Sequence, residues 1–257
     1  MIFKTRPNIK QQFDLVDDLG FKNLIVSGCS FTYNNHEDAA STWPYYLKDL
    51  GGFDQVLDCS MPGAGNQHVS HALQWALEME PPDPKDSLVI VMWTGNDRDD
   101  YICPTTNIKP NSYPFKFCYS DAVETGITGG SYPEATGNTV RDFKAFSTTK
   151  TKESRAIENY LYMTQTWNYL ANRGYKFVFL NFLNSQLPSR SEHFDIGPLL
   201  PLLLKNKLKS MIADITDPYT WAVKTDQLWE DDYHPSPNGH LDWTRNILLP
   251  YLKTKFD

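Results

Sequence analysis

Cysteine is scarce in this chain. Its 257 residues hold four, Cys29, Cys59, Cys103 and Cys118, and no two form a Cys-x-x-Cys pair. They are too few and too scattered for a disulfide scaffold. Long apolar runs are also missing, so nothing in the sequence is built to span a bilayer, and Met1-Ile2-Phe3-Lys4-Thr5-Arg6-Pro7 lacks the apolar stretch of a secretion signal. Basic charge is in deficit: 24 Lys and Arg stand against 31 Asp and Glu, for a net charge of -7. Binding to nucleic acid draws on clustered Lys and Arg, so no nucleic acid is expected as a partner. Charged residues make up only 21%, which excludes a disordered polyelectrolyte. Apolar residues at 40% fall slightly below the usual range, but the length is ample for a buried core. No internal repeat or low-complexity tract divides the chain. The expectation is one domain over residues 1–257, soluble, acidic and aromatic-rich, kept in a reducing compartment and therefore cytoplasmic.

What is present is an alternation of two periodicities. Asn23 to Ser27 is a short run with an apolar Leu-Ile-Val centre ending at Gly28, the mark of a buried parallel strand. Thr42 to Leu50 places Trp43, Tyr46, Leu47 and Leu50 on one helical face before Gly51-Gly52. Gln55 to Cys59 reads as a second strand, Gln67 to Glu80 as a second helix, and Ser87 to Trp93 as the most strand-like segment of all. Strand and helix in turn, with short connections, mean a parallel sheet covered on both faces. From Tyr101 to Thr151 no period is sustained, and the many Pro, Gly and aromatic residues read as an insertion or lid. The rhythm resumes with a helix from Glu153 to Asn172, a strand from Lys176 to Phe182, an apolar helix near Leu199 to Ile212, a fifth strand around Tyr219 to Val223 and a last helix from Gly239 to Lys253.

Ligands of open parallel sheets bind at the carboxyl ends of the strands, so the residues just after each strand carry the information. They are Gly28-Cys29-Ser30-Phe31-Thr32, Met61-Pro62-Gly63-Ala64-Gly65-Asn66 and Thr94-Gly95-Asn96-Asp97, joined near the C-terminus by Asp231-Asp232-Tyr233-His234-Pro235. Together they hold a hydroxyl, glycines that expose backbone, a side-chain amide, carboxylates and an imidazole. Acyl transfer needs that set. A serine attacks only when a base takes its proton, the base is usually a histidine, and a carboxylate fixes the tautomer of that histidine. Asp231 precedes His234 by three residues, so one turn of chain would present both, with Ser30 arriving from the first strand end.

These blocks, in this order, resemble those of the SGNH (GDSL-type) hydrolases. The resemblance spans roughly 200 residues, the fraction of a domain one would want covered. It implies a flavodoxin-like three-layer α/β/α sandwich of about five parallel strands, with the long insertion after the third. It also implies a carboxylic ester hydrolase that needs no cofactor or metal. By position, Ser30 resembles the nucleophile, His234 the base and Asp231 its orienting acid. The oxyanion donors would be the Ser30 and Gly63 N–H groups and the Asn96 side-chain amide; Gly65 is the alternative to Gly63, which follows the strand at the shorter distance. The first block reads Gly-Cys-Ser-Phe where the family name implies Gly-Asp-Ser-Leu.

Other patterns are decoys. Gly63-Ala64-Gly65 lacks the third glycine of a dinucleotide fingerprint, with His68 in its place. His68 and His71 share a helix face without a carboxylate or cysteine to complete a metal site, and read as structural. Gly-x-Ser-x-Thr is not the Gly-x-Ser-x-Gly elbow of α/β-hydrolases. Cys29 reads as packing and His240 as a helix-start residue. Two classes of function follow: an esterase acting on small-molecule or carbohydrate O-acyl esters, acetyl esters among them, or an inactive binding or structural module on the same scaffold.

Overall fold

The computed structural model describes residues 18–33, 41–95, 98–103, 116–120, 150–181, 210–229 and 232–256. In chain order its strands are β1 (Asn23–Ser27), β2 (Gln55–Asp58), β3 (Ser87–Trp93), β4 (Asp99–Cys103), β5 (Lys116–Ser120), β6 (Lys176–Asn181), β7 (Leu228–Trp229) and β8 (Asp232–Pro235). The helices are α1 (Trp43–Leu50), α2 (Asn66–Met79), α3 (Lys152–Asn172), α4 (Pro218–Lys224), α5 (Pro237–Trp243) and α6 (Leu249–Phe256).

Four strands form one parallel sheet in the order β2-β1-β3-β6. All seven residues of β3 are buried, because Leu88, Val89, Ile90, Val91 and Met92 offer apolar side chains to both faces of the sheet. Ile212 makes a parallel bridge to Phe179 and continues the sheet beyond β6. One face is covered by α2 and α3, tied by a Ser70–Thr166 hydroxyl contact of 2.8 Å, with Trp167 of α3 edge-on to Phe179 at 5.6 Å. On another side of the core, α1 packs on α5 through Trp43 and Trp243, both fully buried, with ring centroids 6.0 Å apart. The architecture is the expected α/β fold with flavodoxin-like strand order. The chain winds outward from β1 to β2 on one side and reaches β3 on the other. The crevice between the ends of β1 and β3 is therefore the topological switch point, where such sheets hold ligands.

Three expectations are corrected. Tyr219 to Val223 is helix, not strand: Asp217 caps α4 by accepting the Thr220 N–H at 2.8 Å, and Pro218 fills the first helical position, where its missing N–H costs nothing. The start of the aperiodic stretch is a strand that pairs antiparallel with β5, each only five residues long, too short for alternation to stand out. The final helix contains a π segment, Thr244–Leu248, between α5 and α6. The proposed lid beyond these strands and nearly all of the Leu199 to Ile212 helix lie outside the described residues.

Candidate active site

The turn after β1 is built by a single close approach. The Cys29 carbonyl accepts the N–H groups of Thr32 and Tyr33 at 2.9 and 3.0 Å, winding one helical turn directly onto the strand. A Cβ on Gly28 would lie 2.9 Å from the Thr32 Cβ and 3.2 Å from the Met92 carbonyl, so glycine is required there. This turn lifts Ser30 to the half-buried rim of the switch point and turns Cys29 into the core. The Ser30 N–H, at the open end of the turn, donates to no acceptor among the described residues.

The loop after β2 is fastened alongside. Cys59 donates to Val26 at 2.8 Å and Met61 to Gly28 at 3.1 Å. Met61 then accepts the Ala64 N–H at 3.1 Å, closing a β-turn with Pro62 and Gly63 at its centre. Gly63 has φ +70°, and proline followed by a positive-φ glycine is the type II combination. The buried Gly63 N–H is left without an acceptor among the described residues, whereas the Gly65 N–H is committed to the Asp100 carboxylate at 2.8 Å.

Asp100 and Asn66 are positioning residues that the sequence did not reveal. Asp100, 4% exposed on β4, accepts the Gly65 and the His68 N–H groups (the latter at 2.7 Å) and so caps α2 from across the structure. The sequence placed the start of this helix at Gln67; in the structure its N-cap is Gly65, which has no side chain to cap with. Buried Asn66 exchanges two hydrogen bonds with the Thr94 backbone, at 2.9 and 3.0 Å, and so fixes where the loop after β3 begins. Asn96 and Asp97, further along that loop, lie outside the described residues, as does Asp231.

His234 reaches the same rim from the far end of the chain. It sits on β8, which pairs antiparallel with β7, and Ser236 follows as the cap of α5. The stretch carrying the imidazole is thus extended strand, not the turn expected from sequence. His234 Nε2 lies 2.7 Å from Ser30 Oγ, joining residues 204 positions apart. The Phe31 ring lies against the imidazole, with centroids 4.6 Å apart and planes tilted by 34°.

The other histidines have different environments. Burial pushes His68 down to about 4, with the charge of His71 adding to it, and pushes His240 down to about 3, with His234 adding. Both are therefore neutral in the folded protein above pH 5. His240 lies within α5, past its start, and its buried Nδ1 has no hydrogen-bond partner. Cys59 is likewise buried, which raises its thiol pKa, with Asp58 adding to the shift. The described residues hold no cluster of three or more His, Cys, Asp or Glu side chains fit for a metal ion.

Burial lowers His71 as well, and the two most deeply buried of these three histidines, His68 and His240, predict acid sensitivity. Unfolding frees each to bind a proton below its ordinary value of about 6.5, so the unfolded state binds more protons than the folded state in this window. Stability is then full above about pH 6.5 and falls as the pH drops towards 4 for His68 and 3 for His240. Each costs about 1.4 kcal/mol per pH unit, or about 2 kcal/mol by pH 5. Urea unfolding at pH 7 and pH 5 measures the loss, and His240→Gln should remove up to about half of the slope, with His68 and His71 carrying the rest. Equal stability at the two pH values would show that neither histidine is held neutral.

A serine–histidine pair stands at the switch point of a parallel sheet, on a fold shared with a solved esterase structure. The chain's sequence matches no protein-family model and no curated protein. Its structure is similar to that of an acetyl-xylooligosaccharide esterase variant from Geobacillus, with a TM-score of 0.51 and 13% identity over 91% of this chain and 96% of that one. It is similar at the same score and identity to the YXIM protein of Bacillus subtilis, over 91% of this chain and 57% of the longer protein. A third similar structure is the psychrotrophic esterase EstA of Pseudoalteromonas, with a TM-score of 0.49 and 9% identity over 90% and 99% of the two chains.

Proposed function

We propose that this chain is a serine carboxylic-ester hydrolase with Ser30 as nucleophile, His234 as base and Asp231 as the acid that orients it. One observation carries the reading: the 2.7 Å contact between Ser30 Oγ and His234 Nε2. A nucleophile must lie within hydrogen-bond reach of its base, and these two residues have no local reason to meet. His234 Nε2 takes the proton as Ser30 Oγ bonds to the ester carbonyl carbon. The tetrahedral oxyanion is met by the Ser30 and Gly63 N–H groups and the Asn96 side-chain amide. The uncommitted Gly63 N–H supports it over Gly65 for this role. The imidazolium returns its proton to the departing alcohol, leaving an acyl group on Ser30. Water, deprotonated by the same imidazole, releases the acid and restores the serine. No step needs a metal or cofactor.

The substrate is an O-acyl ester with a short acyl chain, acetylated carbohydrate among the candidates; the similar Geobacillus protein is by its name an acetyl-xylooligosaccharide esterase. No helix among the described residues is long and apolar enough to cross a membrane. Rates on p-nitrophenyl acetate, butyrate and palmitate, with acetate release from acetylated xylooligosaccharides, test the reading. Short chains should be favoured, whereas a protein that hydrolyses none of these esters is not this enzyme.

A further inference from the structure

The contact between Phe31 and His234 has a chemical consequence. Phe31 is 5% exposed, one residue after the proposed nucleophile, so the turn that places Ser30 also sets a ring face beneath the imidazole. Tyr219 of α4 meets Phe31 nearly edge-on, 6.3 Å between centroids at 72°, and limits how far the ring can turn. The face of an aromatic ring carries negative potential and attracts a cation held within about 6 Å of its centre, most strongly where water is excluded. The imidazole becomes a cation twice in the proposed cycle, when it takes the Ser30 proton and again when it takes a proton from the attacking water.

Building on the hydrolase reading, we propose that Phe31 is a positioning residue that holds the His234 ring at Ser30 and stabilises its protonated form through the aromatic face. Other groups bearing on that ring are the Ser30 hydroxyl, Asp231 in its proposed role, and His240 on α5, which burial keeps uncharged across the working range. Phe31 acts on the imidazole through the electrons of its ring face, whereas Asp231 would act through its charge and Ser30 through a hydrogen bond. Its effect is therefore separable from theirs by a substitution that keeps shape and changes the quadrupole.

The experiment compares Phe31→Leu with pentafluorophenylalanine at position 31, which keeps the ring's shape and inverts its face potential. Both should lower the pH-independent plateau of kcat/KM by about threefold to tenfold and move its acid limb down by about half a pH unit to one unit. A ring that served only as packing would lower the plateau at most, and the acid limb would stay in place. Titration of the His234 ring followed by NMR, assigned with His234→Gln, reads the same shift without turnover. An unmoved His234 titration in both variants overturns the role of Phe31, whether or not the protein hydrolyses esters. A moved titration in a protein that hydrolyses no ester upholds the ring contact and refutes the hydrolase reading instead.

Discussion

Replacing His234 with alanine should lower ester hydrolysis by about 10⁶-fold, the scale of losing the base from a serine triad. The imidazole is half-buried at the end of a short hairpin, and its contact at 2.7 Å is with Ser30. Its loss therefore removes no large part of the core, and thermal unfolding of the variant should stay close to that of the parent. Ser30→Ala should fall to the same low rate, and the double variant should fall no further, because the two residues act as one unit. Independent, additive losses would show that the 2.7 Å contact is not the catalytic one.

The second large effect belongs to the acid. An orienting carboxylate keeps the imidazole in the tautomer that leaves Nε2 free to accept a proton, and replacing it with an amide costs up to about 10⁴-fold. Asp231→Asn should show a loss on that scale, while Asp232→Asn, one residue along, should keep most of its rate. Steady-state kinetics on p-nitrophenyl acetate ranks the two, and the reverse ranking would move the acid to Asp232.

The sheet was legible because its strands carry unmixed signals. Ser87 to Trp93 has no polar residue between its first position and the turn that follows, and only the centre of a covered parallel sheet accepts such a run. The strand-end rule then brought Ser30 and His234 towards one rim, although no periodicity encodes the 2.7 Å between them. Tyr219 to Val223 misled because Tyr, Thr, Trp and Val favour strands, while the stronger signal, Asp217 before Pro218, lay just ahead of the segment. Asp100 was illegible for another reason. A carboxylate that caps a helix beginning at Gly65, 35 residues earlier, leaves no mark in local sequence, since its partners are backbone N–H groups that every residue has. The sequence favoured Gly63 over Gly65 on distance from the strand alone, and that same bond adds a physical reason to prefer it.

The most direct test of the Ser30–His234 pair is covalent. A fluorophosphonate reacts with a serine hydroxyl activated by a neighbouring base and gives a stable adduct that intact mass and peptide mapping locate. One adduct should form, on Ser30, and Ser30→Ala should take up none while remaining folded. An adduct that persists in Ser30→Ala, or that maps to Cys29, which is fully buried in the core, would contradict Ser30 as the nucleophile.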